Sequence, residues 1–150
     1  MMVRGILMAV MMTVVSTPAV FAQQQLTEEQ KEVVSAKITA AVEAAESWLA
    51  VVDSGKYGES WEKSAQFFKD KVPEGQWDTS LRQVREPLGS LVSREVSNYQ
   101  YLTYVPGAPK GEYVVIQFKT SFAEKPDSIE TVTPMLDSDG QWRISGYFIK

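Results

Sequence analysis

The sequence predicts an α+β domain in which three N-terminal helices pack on a curved, cone-like antiparallel sheet of four strands. Two observations carry that expectation. Apolar residues recur at three- and four-residue steps as far as Leu88, and from Leu91 the pattern changes to alternating runs rich in β-branched and aromatic residues, joined by short turns.

The chain opens with a segment that has no place in that fold. Residues 1–22 hold one cation, Arg4, then an apolar run from Gly5 to Val15, then Val20 and Ala22 ahead of three glutamines. This is the layout of a secretory signal peptide, and the apolar run is shorter than the ~20 residues a membrane-spanning helix requires. Cleavage is expected after Ala22. Residues 23–150 then form a single domain, periplasmic or secreted, with no stable membrane insertion.

Thr27 and Gln30 have capping-box spacing, and Val34, Ile38, Ala41, Ala45, Trp48 and Val52 follow on one face of a long first helix that Gly55 stops. A second stripe, Tyr57, Trp61, Ala65, Phe68 and Val72, is closed by Pro73 and Gly75. The third is shorter, with Trp77, Leu81, Val84 and Leu88, a start near Asp78 or Thr79, and Pro87 and Gly89 as interruptions.

Strands are expected over Leu91 to Val105, Glu112 to Phe122, Ile129 to Leu136 and Gln141 to Ile149. In the second of these Val114, Ile116, Phe118, Thr120 and Phe122 share a face. Pro106 to Gly111 and Asp137 to Gly140 are turns by composition. Connections this short join antiparallel neighbours, because a parallel crossover takes a dozen residues or more. Gly146, inside the last strand, marks a bulge, a bend or a close approach.

Composition narrows the chemistry. Of 150 residues 44% are hydrophobic and 23% charged, with a formal net charge of −4, so no general field attracts nucleic acid. Cysteine and histidine are both absent. Disulfides, thiol nucleophiles, Ser-His-Asp hydrolysis and the usual zinc and iron sites each need one of them, so no metal or cofactor is expected and no catalytic set is assigned. Asp137-x-Asp139-Gly140 lacks the further ligands of a calcium loop and reads as a turn.

The candidate ligand-lining residues are Tyr57, Trp61, Trp77, Arg85, Arg94, Tyr99, Glu130 and Tyr147. Aromatic side chains offer apolar area with a polar tip, and guanidinium groups suit an anion because they donate two parallel hydrogen bonds. Glu130 lies among apolar strand neighbours, where a carboxylate either pairs with Arg85 or Arg94 or serves as a base. Trp48, Trp61 and Trp77 also fit the helices' buried faces, which makes the core their competing destination.

Trp48-Leu49, Asp53-x-Gly55-x-Tyr57 and Ser60-Trp61, followed by Trp77, Arg85-x-Pro87-Leu88-Gly89, Arg94, Pro106-Gly107-x-Pro109-x-Gly111-x-Tyr113, Glu130-Thr131-Val132 and Asp139-Gly140-x-Trp142-Arg143-x-x-Gly146-Tyr147, resemble a family of exported bacterial proteins classed as a domain of unknown function. The resemblance runs from about Ala44 to Lys150 and brings no established activity. In element order the chain is also similar to the nuclear-transport-factor-2-like superfamily, whose curved sheet and helices enclose a pocket. That similarity implies a pocket without implying a function.

The resulting expectation is an exported domain that binds a small molecule or a protein partner without catalysis. An isomerase or dehydratase using Asp53 or Glu130 with a tyrosine is one alternative. A homo-oligomeric module, possible as a homodimer through the strand face of Tyr113, Val115 and Gln117, is the other.

Overall fold

A computed structural model of the chain describes residues 25–150, so the expected leader of residues 1–22 lies outside the described residues. The architecture is helices followed by a four-stranded antiparallel sheet of order β1-β2-β3-β4. The helices are α1 (Glu28–Asp53), α2 (Tyr57–Glu62), α3 (Gln66–Lys71) and α4 (Glu74–Arg85), and a 3-10 turn follows over Glu86–Leu88. The strands are β1 (Leu91–Leu102), β2 (Tyr113–Phe122), β3 (Lys125–Leu136) and β4 (Trp142–Ile149). Among the described residues no helix is long and apolar enough to cross a membrane.

α1 starts as its sequence dictates: the Thr27 hydroxyl accepts from Gln30 N–H and the Gln30 side chain accepts from Thr27 N–H. Each interaction satisfies an amide that has no intrahelical partner. Its C-terminal half buries Ala41, Ala45, Trp48, Leu49 and Val52. These meet Trp77 and Leu81 of α4 and, across the layer, Val114, Ile116 and Phe118 of β2, Val132 of β3 and Ile144 of β4.

The described chain has four α-helices where three were expected, because the second stripe is broken in two. Ala65 is extended, with φ −59° and ψ 147°, and its N–H donates to the Ile144 carbonyl of β4 at 2.8 Å. The apolar spacing survives the break, since Ala65 and Phe68 both stay buried. Periodicity therefore reported the buried face correctly and was blind to the tertiary hydrogen bond that interrupts the helix. The last helix begins at Glu74, with Pro73 as its cap, four residues before Asp78. Proline's fixed φ suits that entrance.

The sheet's boundaries also move. β1 ends at Leu102 rather than Val105, and the Pro106–Gly111 segment folds back so that the Tyr113 hydroxyl donates to the Pro109 carbonyl at 2.6 Å. Tyr113 is buried there with Ala65 and Met135, and this side of the sheet is partly covered by the chain's own loop. β3 begins at Lys125, before Ile129, because proline is tolerated near a strand's start and Pro126 does not exclude pairing. At the other end Thr133 pairs with Gly146 while Pro134 pairs with Ile144, which leaves Ser145 as the extra residue of a bulge. Proline lacks the N–H that a regular ladder would use, and Ser145 Oγ donates to the Thr133 carbonyl at 2.8 Å instead.

Candidate functional site

Two features stand out, a buried charged cluster and an open apolar groove. The cluster draws one side chain from the end of each of two helices and one from each strand. Asp53 closes α1, Arg85 closes α4, and Arg94, Thr120, Glu130 and Tyr147 come from β1, β2, β3 and β4. Arg94 Nη1 and Nη2 donate to Asp53 Oδ2 and Oδ1 at 2.6 and 3.0 Å, while its Nε donates to Glu130 Oε1 at 2.7 Å. Arg85 Nη2 donates to Asp53 Oδ1 at 2.5 Å and Nη1 to the Tyr147 hydroxyl at 3.4 Å. Glu130 also accepts from Thr120 Oγ1 at 2.6 Å and from the Tyr147 hydroxyl.

Burial makes this arrangement consequential. The Glu130 side chain is 0% exposed and that of Arg85 5%, so each charge depends on its partners rather than on water. Two guanidinium groups balance two carboxylates. Asp53 sits at the negative end of the α1 dipole, where a carboxylate is unfavourable by itself, and the two arginines reverse that. Burial raises its pKa, but the Arg94 and Arg85 hydrogen bonds and charges outweigh burial and hold it below the ordinary carboxylate value. Burial, reinforced by the Glu130 charge, pushes the Tyr147 hydroxyl far above its usual range. Arg85 also stacks over the Phe122 ring at 4.8 Å, while its Nε has no hydrogen-bond partner. Glu130 and Tyr147, a carboxylate and a tyrosine from neighbouring strands, touch directly.

The aromatic residues around the cluster fill the space between helices and sheet. Trp48 and Tyr147 meet edge-on at 5.2 Å, and Phe68 and Trp77 at 4.9 Å. Ser60 is fully buried inside α2. Its hydroxyl donates to the Tyr57 carbonyl at 2.6 Å and accepts from Trp77 Nε1 at 3.0 Å.

The groove lies between the N-terminal half of α1 and the helix-side face of β1. Register places Arg94, Val96, Tyr99 and Tyr101 of β1 opposite Thr120, Phe118, Ile116 and Val114, which are the core-facing residues of β2. The helices cover that core face over β2 to β4 but leave it open over the middle of β1, where Val96 is 36% and Tyr99 53% exposed. Leu26, Val34, Ile38 and Val42 form the opposite wall, with Lys31 and Glu43 among the few charged groups lining it. The space is about 470 Å³. A smaller groove of about 240 Å³ between α4 and β4 is lined by Trp77, Leu81, Val84, Tyr147 and Phe148. A third space of about 520 Å³, near Glu95, Lys119 and Asp127, is polar.

The eight residues singled out from sequence therefore do not share one concavity. Arg85, Arg94, Glu130 and Tyr147 converge in the charged cluster, and Trp77 packs beside it. Tyr99 belongs to the α1/β1 groove. Tyr57 is buried beneath the Arg82 guanidinium, 5.4 Å from its ring, and Trp61 Nε1 donates to the Val72 carbonyl at 2.7 Å. Their spacing on the helical stripe, which also fits a core position, is the signal that explains both. Asp53 and Thr120 complete the cluster and were not among the eight. Asp53 ends a helix whose last turn has no basic residue, which left a carboxylate in need of an external cation. Asp137 and Asp139 both accept from Arg143, at 3.0 and 2.9 Å, in a turn where Gly140 takes φ +81°.

No curated protein matches the sequence. A family model described as a protein of unknown function, DUF4019, matches residues 44–147, a span that holds the charged cluster, the aromatic core, β1 to β3 and most of β4 but leaves out residues 28–43 of α1. The chain belongs to that family.

Proposed function

We propose that the mature protein is an exported, non-catalytic domain that binds a small apolar ligand in the groove between α1 and β1. The observation that carries this reading is the uncovered core face of β1, where Val96 and Tyr99 stand opposite Val34, Ile38 and Val42 with no element of the described chain over them. A volume of about 470 Å³ is in the range of small-molecule sites, and a mainly apolar lining with a few polar groups is their usual composition. The leader-like pattern of residues 1–22 supports export, and a chain without cysteine has no thiol to oxidise outside the cell.

In this reading the charged cluster is the frame rather than the site. It fastens β1 to α1, α4 and β3 at one end, so the strand holds its position although its middle lacks cover. The test uses 1-anilinonaphthalene-8-sulfonate as an apolar probe. Saturable fluorescence enhancement, lost in Val34→Asp and kept in Val84→Asp of the smaller groove, is the expected result. No binding by the wild-type protein, or equal binding by both variants, refutes the assignment.

A further inference from the structure

We propose that the ligand of the α1/β1 groove is a cationic amphiphile, an apolar body carrying one amine or quaternary ammonium group, with the Glu43 carboxylate and the Tyr99 ring receiving the charge. This rests on the reading of the groove given above and adds the ligand's chemical class.

The charge around the groove is one-sided. Its lining holds two charged side chains, Lys31 and Glu43. Lys31 is already taken, its Nζ lying 2.7 Å from Glu28 Oε1 in a turn that also carries Glu29 and Glu32. Lys37, the other lysine of α1, is bound to Glu112, and among the described residues Glu43 has no ion-pair partner. Glu28 and Glu29 open the helix, where its dipole favours acids, but Glu43 lies mid-helix and gains nothing from the dipole. Ser35, Thr39 and Glu43 recur at four-residue steps, and the same exposed stripe runs back to Glu28 and Glu32 and on to Glu46. An apolar floor is thus bordered along α1 by hydroxyls and carboxylates. An anion there meets repulsion and no free cation, whereas a cation meets opposite charge.

Tyr99 supplies the second element, from the opposite wall. Two contacts fix how α1 lies along β1: Asp53 with Arg94, and Lys37 Nζ 5.9 Å from the centre of the Tyr101 ring. From Lys37 to Asp53 the helix rises about 24 Å, and from Arg94 to Tyr101 the strand rises about 23 Å, so the two run antiparallel in step. Tyr99, about 7 Å along the strand from Tyr101, is therefore level with Val42 and its neighbour Glu43. It is half exposed, and among the described residues no cation stacks on its ring. An aromatic face attracts a cation through its quadrupole and a carboxylate does so through its charge, and the groove presents both at one level.

The test is displacement of a neutral fluorescent probe, N-phenyl-1-naphthylamine, from the purified protein at low salt. The competitors are decyltrimethylammonium and decyl sulfate, one alkyl chain with opposite head groups, each kept below its micelle concentration. The proposal expects the cation to displace the probe at a concentration lower by at least about fivefold, with added salt narrowing the gap. Glu43 is exposed and Tyr99 half exposed, so Glu43→Gln and Tyr99→Leu should fold normally, yet each should cut the cation's advantage by about two- to fivefold while the probe's own affinity holds. Glu62→Gln of α2, an exposed position outside the groove, changes the net charge equally and should leave the advantage intact. Equal displacement by both surfactants, or an advantage that survives Glu43→Gln or Tyr99→Leu undiminished, overturns the proposal. Probe binding separates the two ideas: a probe that binds wild type and is lost in Val34→Asp, with no preference between head groups, leaves the groove assignment standing and the ligand class refuted, whereas a wild type that binds no probe refutes both.

Discussion

Arg94 and Asp53 form a two-pronged ion pair, 2.6 and 3.0 Å, that joins the edge strand β1 to the C-terminus of α1. The same guanidinium reaches Glu130 in β3, so one side chain links an outer strand, an inner strand and the longest helix. Removing a partner from such a buried arrangement leaves a charge that neither water nor protein compensates.

Asp53→Asn should therefore destabilise the fold at neutral pH by about 3 kcal/mol, read as a lower urea midpoint with an unchanged slope. The pH dependence has a definite sign. Because the folded-state pKa lies below the ordinary value of 3.8, the contribution is complete above that value and disappears as pH falls through the lower, folded-state one. The stability gap between wild type and Asp53→Asn should accordingly be constant near neutrality and close below about pH 4. A gap that persists unchanged into strong acid would assign the cost to packing instead.

Ser60→Ala should cost about 1–3 kcal/mol, out of proportion to the loss of one oxygen, because Trp77 Nε1 loses its hydrogen-bond acceptor inside the core. Near-UV circular dichroism should show Trp77 affected more than Trp48, whose Nε1 keeps the Ser60 backbone carbonyl at 2.8 Å. Stability equal to wild type would mean that the Trp77 indole finds another partner.

Two glycines should respond in opposite directions to the same substitution. Gly89 has φ +73°, and a Cβ there would lie 3.2 Å from Ala123 Cβ and 3.3 Å from Glu124 Cγ, so Gly89→Ala should destabilise by about 1–3 kcal/mol. Gly75, near the start of α4, has nothing within 4 Å of such a Cβ, and Gly75→Ala should stabilise by up to about 1 kcal/mol. Thermal unfolding of the pair checks both signs together.

The fold class was legible because the switch from helical to alternating periodicity survives any change in tertiary detail. Thr27 and Gln30 form the capping box that their spacing implies, and Val114, Ile116, Phe118, Thr120 and Phe122 share the buried face that alternation assigns them. The break at Ala65 was not legible, since it depends on a carbonyl of β4 some eighty residues away. The candidate site was partly legible. The sequence offers Arg85 or Arg94 as a partner for Glu130, a carboxylate between apolar strand neighbours, beside a role as a base, and in the fold both guanidinium groups lie within ion-pair reach of it. Asp53's place between both arginines required the helix crossing to be known. The groove was hidden for a different reason: sequence shows which residues are apolar, and only the arrangement of helices shows that Val96 and Tyr99 are left without cover.

Native mass spectrometry of protein purified from its expressing cells without denaturation tests the binding role most directly. The account predicts that wild type carries the added mass of an apolar small molecule, and that Val34→Asp, prepared identically and equally folded, carries none. Wild type and Val34→Asp each flying at its own ligand-free mass would contradict it.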